Sequence, residues 1–217
     1  MDSLAIFSCV DKKKKENKGN QNKEVKSFSN QNEDAYNPVE AWKLAWSDEF
    51  DKDTLDLNNW NFQVEKAGRF NDEWQCYTNS SNYAYVSDGC LVIKAIHESN
   101  VQGMNQYTSA RLHTANKHSW KYGKIAARIK LPKGKGIRSA FWMLGANINE
   151  NGGDTPWLQS GEIDILELYG SKDDAVVEAN IHYADESNLH ASMGAASYKL
   201  KQGIFADSFH ICLNRLG

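Results

Sequence analysis

The chain has 217 residues, a net charge of −3 from 25 Lys and Arg against 28 Asp and Glu, and 41% hydrophobic residues; this suits one globular domain with a real core and room for a polar tail. Apart from one early lysine run the basic residues are scattered, which excludes the broad positive footprint of a nucleic-acid partner. The four cysteines, Cys9, Cys76, Cys90 and Cys212, show neither C-x-x-C spacing nor a dense framework, which argues against a zinc site and a disulfide scaffold. A Cys76–Cys90 bridge stays open, because sequence does not give their Cα separation.

Residues 1–10 are apolar, end in Ile6-Phe-Ser-Cys9 and run straight into Lys12 to Lys15. The pattern is similar to the last part of a bacterial lipoprotein signal, with a small residue before the cysteine that is lipidated; Asp2 departs from the basic start of a full signal. Cys9 is therefore a candidate for lipidation, and the protein is expected outside the cytoplasm, secreted or anchored to the cell envelope. Residues 11–40 are Lys, Asn, Gln, Glu and Ser with almost no large apolar side chain, too little to bury for independent folding, and are expected to be a disordered polar linker. The folded domain is expected over 41–217, starting near Trp42.

Strand signals then recur at short intervals. Leu91-Val-Ile-Lys-Ala95 follows an Asp88-Gly89 turn, and Tyr107-Thr-Ser-Ala-Arg-Leu112 follows a polar loop. From Tyr122 to Leu131, Ile125, Ala127 and Ile129 alternate with Lys124, Arg128 and Lys130, a strand with one wet face, before Pro132, Gly134 and Gly136 break it. Ser139-Ala-Phe-Trp-Met-Leu144 leads into a Gly-rich loop from Gly145 to Ser160, then an acidic strand, then Val176 to Tyr183. Many short strands with turn punctuation and no long amphipathic helix predict an all-β sandwich or jelly roll.

The acidic strand, Gly161-Glu-Ile-Asp-Ile-Leu-Glu-Leu-Tyr-Gly170, threads three carboxylates through residues typical of a buried strand, and acids are almost never fully buried without a partner. Alternation puts Glu162 and Asp164 on one face and Ile163 and Ile165 on the other. Glu167 breaks the parity unless a bulge near Ile165 and Leu166 inserts one residue and turns it back beside the other two. With the bulge, the outer carboxyls can approach the roughly 5–5.5 Å used by the nucleophile and acid/base of a retaining glycosidase. Asp164 between them can hold the two pKa values apart. The residues alone leave two other readings open, a wet polar strand face and a calcium cluster.

The decapeptide resembles the catalytic signature of glycoside hydrolase family 16, in the longer, bulged form of laminarinase-like members. The resemblance implies a concanavalin A-like sandwich, with Glu162 as nucleophile, Asp164 as its assistant and Glu167 as acid/base. Trp46-Ser-Asp-Glu-Phe50 resembles the family's opening, in which a first strand leads into the Asp-Glu-Phe segment. Arg69-Phe-Asn-Asp-Glu-Trp-Gln-Cys-Tyr-Thr78 is similar to its next segment, but lacks the glycine usual before the asparagine. By the same resemblance Asn71, Arg111, Trp142, Trp157 and His182 line the substrate cleft. The implied substrate is a β-1,3 or mixed β-1,3/1,4 glucan, with agar- or carrageenan-type galactans as the alternative; no metal or cofactor is expected, and the protein is expected to be a monomer. The resemblance covers about Trp42 to His210, after which the chain closes with Ile211 to Gly217, so the domain is expected to lack the family's last strands. A non-catalytic glucan-binding or inactive sandwich is the alternative function.

Overall fold

The computed structural model describes residues 3–9, 42–101, 104–170 and 172–216. The polar stretch at 11–40 lies outside the described residues. Thirteen strands are assigned among them: β1 Ser3–Cys9, β2 Asn61–Gln63, β3 Gln75–Tyr77, β4 Ala84–Ser87, β5 Cys90–Val101, β6 Met104–Ser109, β7 Arg111–His113, β8 Gly123–Lys130, β9 Arg138–Leu144, β10 Glu162–Tyr169, β11 Val176–Ala184, β12 His190–Lys199 and β13 His210–Leu216.

They form two facing layers. One sheet runs β13-β8-β1-β5-β6-β3 with β4 also on β5, the other runs β12-β11-β10-β9, and β2 pairs with β7 beside them. The layers meet where period-2 alternation turns apolar side chains inward. Ile129 and Leu131, with Ala127 and Cys212, come from the β8–β13 side; Leu166 and Leu168, with Phe141 and Val177, come from the β9–β11 side; Phe205 closes the cluster. Full burial of Leu166 and Leu168 contributes roughly 1.5–3 kcal/mol each. Burial also pushes the Cys212 thiol up to about 11. A second cluster of Tyr83, Ala84 and Ala110 packs with Phe62, Ile93, Ile96 and Leu112, and Ala110 is the break that splits the expected Tyr107–Leu112 strand into β6 and β7. No disulfide joins Cys76 to Cys90.

One segment differs from the sequence reading. Residues 42–50 run without ladder pairing, so the first strand implied by the resemblance is absent there. A side chain takes the place of the ladder: the Asp48 carboxylate accepts the Phe50 amide at 3.0 Å and the Trp60 indole N–H at 2.8 Å, while Phe50 itself sits at φ 50°. The apolar run at the start of the described residues is paired backbone. Ser3–Cys9 lies antiparallel to both β5 and β8, bridging two strands that otherwise do not meet in that sheet.

Candidate active site

The site is built on the register of β10. Against β9, Glu162 lies opposite Leu144, Asp164 opposite Trp142 and Glu167 opposite Ala140, with a shift between Asp164 and Leu166 that leaves Ile165 unmatched. Positions 140, 142 and 144 share one face of β9, so the three acids opposite them share one face of β10. Against β11 the acids face His182, Asn180 and Glu178, with the same irregularity between Asp164 and Glu167. The extra residue thus turns Glu167 back beside its neighbours while Leu166 and Leu168 reach the core. Asn71, Arg111, Trp142, Trp157, Glu162, Asp164, Glu167 and His182 all border one continuous cleft.

Each acid has a different environment. The Glu162 carboxylate accepts the Trp157 indole N–H at 2.5 Å. Glu167 accepts from Arg138 Nη2 at 2.6 Å and Nε at 3.2 Å, and from the Tyr169 hydroxyl at 3.0 Å. Asp164 is only 4% exposed. Burial, then repulsion from Glu167 and Glu162 and a hydrogen bond to Glu162, push its carboxyl up to about 7, with Arg138 opposing. Its Oδ2 lies 3.2 Å from His182 Nε2 but off the line of a good hydrogen bond, so that buried oxygen has no aligned partner among the described residues. Ligand atoms of Glu162, Asp164 and His182 lie within 4.8 Å of one another and could gather round a cation; we assign no ion.

Around the acids, Arg111 is sandwiched between two rings, 4.3 Å from the Phe70 centroid and 4.4 Å from that of Trp142. This keeps Trp142 on the cleft side and gives the guanidinium a fixed plane, with its edge available for hydroxyl groups. Asn71 is exposed on a turn in which it and Asp72 take φ 47° and 55°, the left-handed region that asparagine and aspartate adopt more readily than most residues. Glu73, Gln75 and Tyr77 bind one another, the Tyr77 hydroxyl donating to Glu73 at 2.7 Å and accepting from Gln75 at 2.7 Å. Burial and the Glu73 charge hold that phenol at about 12.

Trp157 belongs to the loop 145–161, which is laced to the sheet by Gly145 N to Gly161 O at 3.1 Å and Ala184 N to Leu158 O at 3.0 Å. A Cβ on Gly145 would lie 2.1 Å from the Ser160 carbonyl oxygen, a contact that only backbone movement can relieve. Gly145→Ala is therefore expected to displace the loop and lower kcat/KM by about 10- to 100-fold, since small misplacements of positioning groups cost that much; kinetics beside a melting curve check it.

Arg138 and Tyr169 carry no sequence signal that marks them as site residues. They are register partners on β9 and β10, and alternation puts Tyr169 on the face of Glu167 and Arg138 on the face of its partner Ala140, within reach of the carboxylate. Arg138→Gln is expected to leave the fold intact, because the side chain is 38% exposed, and to lower kcat about 10-fold by loosening Glu167. An unchanged kcat would count against a positioning role.

The chain is similar to several endo-1,3-beta-glucanases and also, at 28% identity over 77% of its length, to a beta-1,3-glucan-binding protein of Penaeus monodon, 56% of which it spans. It is 38% identical over 78% of its length to a glucan endo-1,3-beta-glucosidase of Cryptopygus antarcticus and spans 61% of that relative. It spans less than two thirds of the length of the curated relatives it matches. The structure superposes with TM-score 0.66 and 38% identity on the catalytic domain of an endo-1,3-beta-glucanase (laminarinase) from Thermotoga petrophila, covering 82% of this chain and 71% of that one. With TM-score 0.68 and 37% identity it also matches LamA from Z. galactanivorans in complex with laminaritriose and laminaritetraose, covering 78% and 72%. The model of the glycosyl hydrolases family 16 matches residues 70–211, a span that holds β10 and every cleft residue named above, and the chain belongs to that family.

Proposed function

We propose that the protein is a retaining endo-glycosidase of β-1,3 or mixed β-1,3/1,4 glucans. Glu162 attacks the anomeric carbon while Glu167, protonated in the substrate complex, gives its proton to the departing glycosidic oxygen. A covalent glycosyl-enzyme forms, and Glu167, now ionised, takes a proton from the water that releases the product with configuration retained. The observation that carries this reading is the shared face of Glu162, Asp164 and Glu167 across an irregular ladder.

The environments of the acids support the division of labour. In the free site Arg138 and Tyr169 hold Glu167 as an acceptor, which is the form the second step needs. The Trp157 N–H on Glu162 stabilises a carboxylate ready to attack. Asp164, whose pKa lies near neutrality, can donate to Glu162 and release it as charge moves onto the sugar. The Arg111 guanidinium, Trp142, Trp157, Asn71 and His182 supply the polar edges and ring faces a pyranose needs. The laminari-oligosaccharides held by the related LamA favour β-1,3 linkages over galactans.

Release of reducing sugar from laminarin by the purified chain, with agarose and carrageenan in parallel, tests the proposal. The first product should carry the β-anomeric configuration by proton NMR. Binding of laminarin without release would favour a non-catalytic glucan-binding protein. A polymer of this size does not cross a membrane unaided, so the proposed reaction belongs outside the cytoplasm; fractionation of source cells would show the protein there.

A further inference from the structure

Beyond the residues proposed to act on substrate, we infer that His190 is a positioning residue of the same centre, fixing the Trp157 indole and the His182 imidazole that face Glu162 and Asp164. The inference rests on the catalytic reading for its consequence and on geometry for its contacts. His190 opens β12 and is exposed. Its ladder partner is Ala184, while its neighbour two positions on, Ser192, lies opposite His182, so the His190 ring reaches diagonally along the shared face.

Two contacts follow. His190 Nε2 is 2.9 Å from His182 Nδ1, with ring centroids 5.1 Å apart. The same imidazole lies 5.7 Å from the Trp157 ring at a 47° tilt. On their far sides, His182 Nε2 faces Asp164 Oδ2 and Asn180 Nδ2, both at 3.2 Å, and Trp157 donates to Glu162. One solvent-facing ring therefore touches both side chains that flank the acids from outside β10. Without it, each would be held from one side only: Trp157 is 45% exposed, and an exposed indole has little packing to keep its N–H on a carboxylate.

The placement of His190 is itself fixed. The Asp185 carboxylate accepts the Ser187 and Leu189 amides at 2.8 and 2.9 Å, and the Asp185 amide donates to Leu189 O at 2.9 Å; this pins the turn from which β12 starts. The Ala184 amide, at the other side of that turn, holds the loop bearing Trp157 through Leu158 O. Loop, β11 and β12 are thus stitched together at the point where the three rings meet.

The test separates contacts from activity. The Trp157 indole proton, bound to a carboxylate, should resonate well downfield and is assigned by its loss in Trp157→Phe. In His190→Ala that signal should move towards the free-indole position and the His182 ring signals should shift, while kcat falls about 10-fold with KM within about 3-fold. His190→Phe keeps a ring against Trp157 and should restore the indole signal only; His190→Gln keeps a polar partner for His182 and should restore the imidazole signals only. Unmoved signals in His190→Ala overturn the inference whatever the activity of the chain. Moved signals with wild-type kcat overturn the positioning role. Absence of hydrolysis by the unmodified chain sinks the catalytic reading instead, and the signals still decide whether His190 holds the two rings.

Discussion

Glu162→Ala and Glu167→Ala are each expected to lower glucan hydrolysis by at least about 10³-fold, the scale of losing a nucleophile or a general acid, with a nearly unchanged melting temperature. The fold should tolerate both because neither side chain takes part in the apolar clusters, and the groups left behind, the indole N–H of Trp157 and the guanidinium of Arg138, are exposed enough to bind water. Added azide separates the roles. In the Glu162 variant it can enter the space of the lost carboxylate and attack from that face, giving a glycosyl azide of inverted configuration. In the Glu167 variant it attacks the glycosyl-enzyme and gives retained configuration. Near wild-type turnover by either alanine variant would end the assignment.

Asp164→Asn should change the pH dependence of stability more than any other single substitution in the site. The Asp164 carboxyl is raised from 3.8 to about 7 in the folded chain, so between about pH 4 and 7 the folded state holds a proton that the unfolded state has released. Stability from this group is therefore present at low pH, falls as pH rises through that window, and stays at the lower level above it. Asparagine has no charge to bury, so the melting temperature of the variant relative to wild type should rise from about pH 4 to about pH 7 and level off above that. Asparagine can also keep a donor towards Glu162, as the neutral acid does, whereas alanine cannot. Asp164→Asn should then cost about 10-fold in kcat, and Asp164→Ala distinctly more. Parallel melting curves for wild type and Asp164→Asn across this range would show that the carboxyl is ionised throughout.

The sandwich was legible in the sequence wherever one sheet face is wet, because alternation such as Ile125, Ala127 and Ile129 against lysines and arginine reports a half-buried strand directly. The acidic strand was legible through its failure to alternate: Glu167 on the wrong parity is what called for an inserted residue, and the register with β9 carries it between Asp164 and Leu166. Segments whose conformation depends on one side chain were not legible. Nothing periodic in Trp46–Phe50 tells that Asp48 will satisfy the Phe50 amide and the Trp60 indole in place of a neighbouring strand. The apolar run Ser3–Cys9 was ambiguous for another reason, since a seven-residue strand and the end of a signal share composition and length. In the site, Arg138 and His190 reach their partners across strands, and scattered polar residues acquire such contacts only once registers are fixed.

The unmatched Ile165 has a consequence for chain length. Remove that one residue on paper, and Leu166, Glu167, Leu168 and Tyr169 keep their present partners Phe141, Ala140, Ser139 and Arg138, now in unbroken succession after Asp164 and Trp142; on the other flank Glu167 still meets Glu178. A single-residue deletion inside a strand ordinarily sends half its side chains to the opposite side. Here it would instead produce a straight segment with acids at every second position, all aimed as before. Two sequence spacings therefore code for one arrangement of carboxylates, and the longer of them carries its surplus as a hydrophobic side chain that the interior can accept.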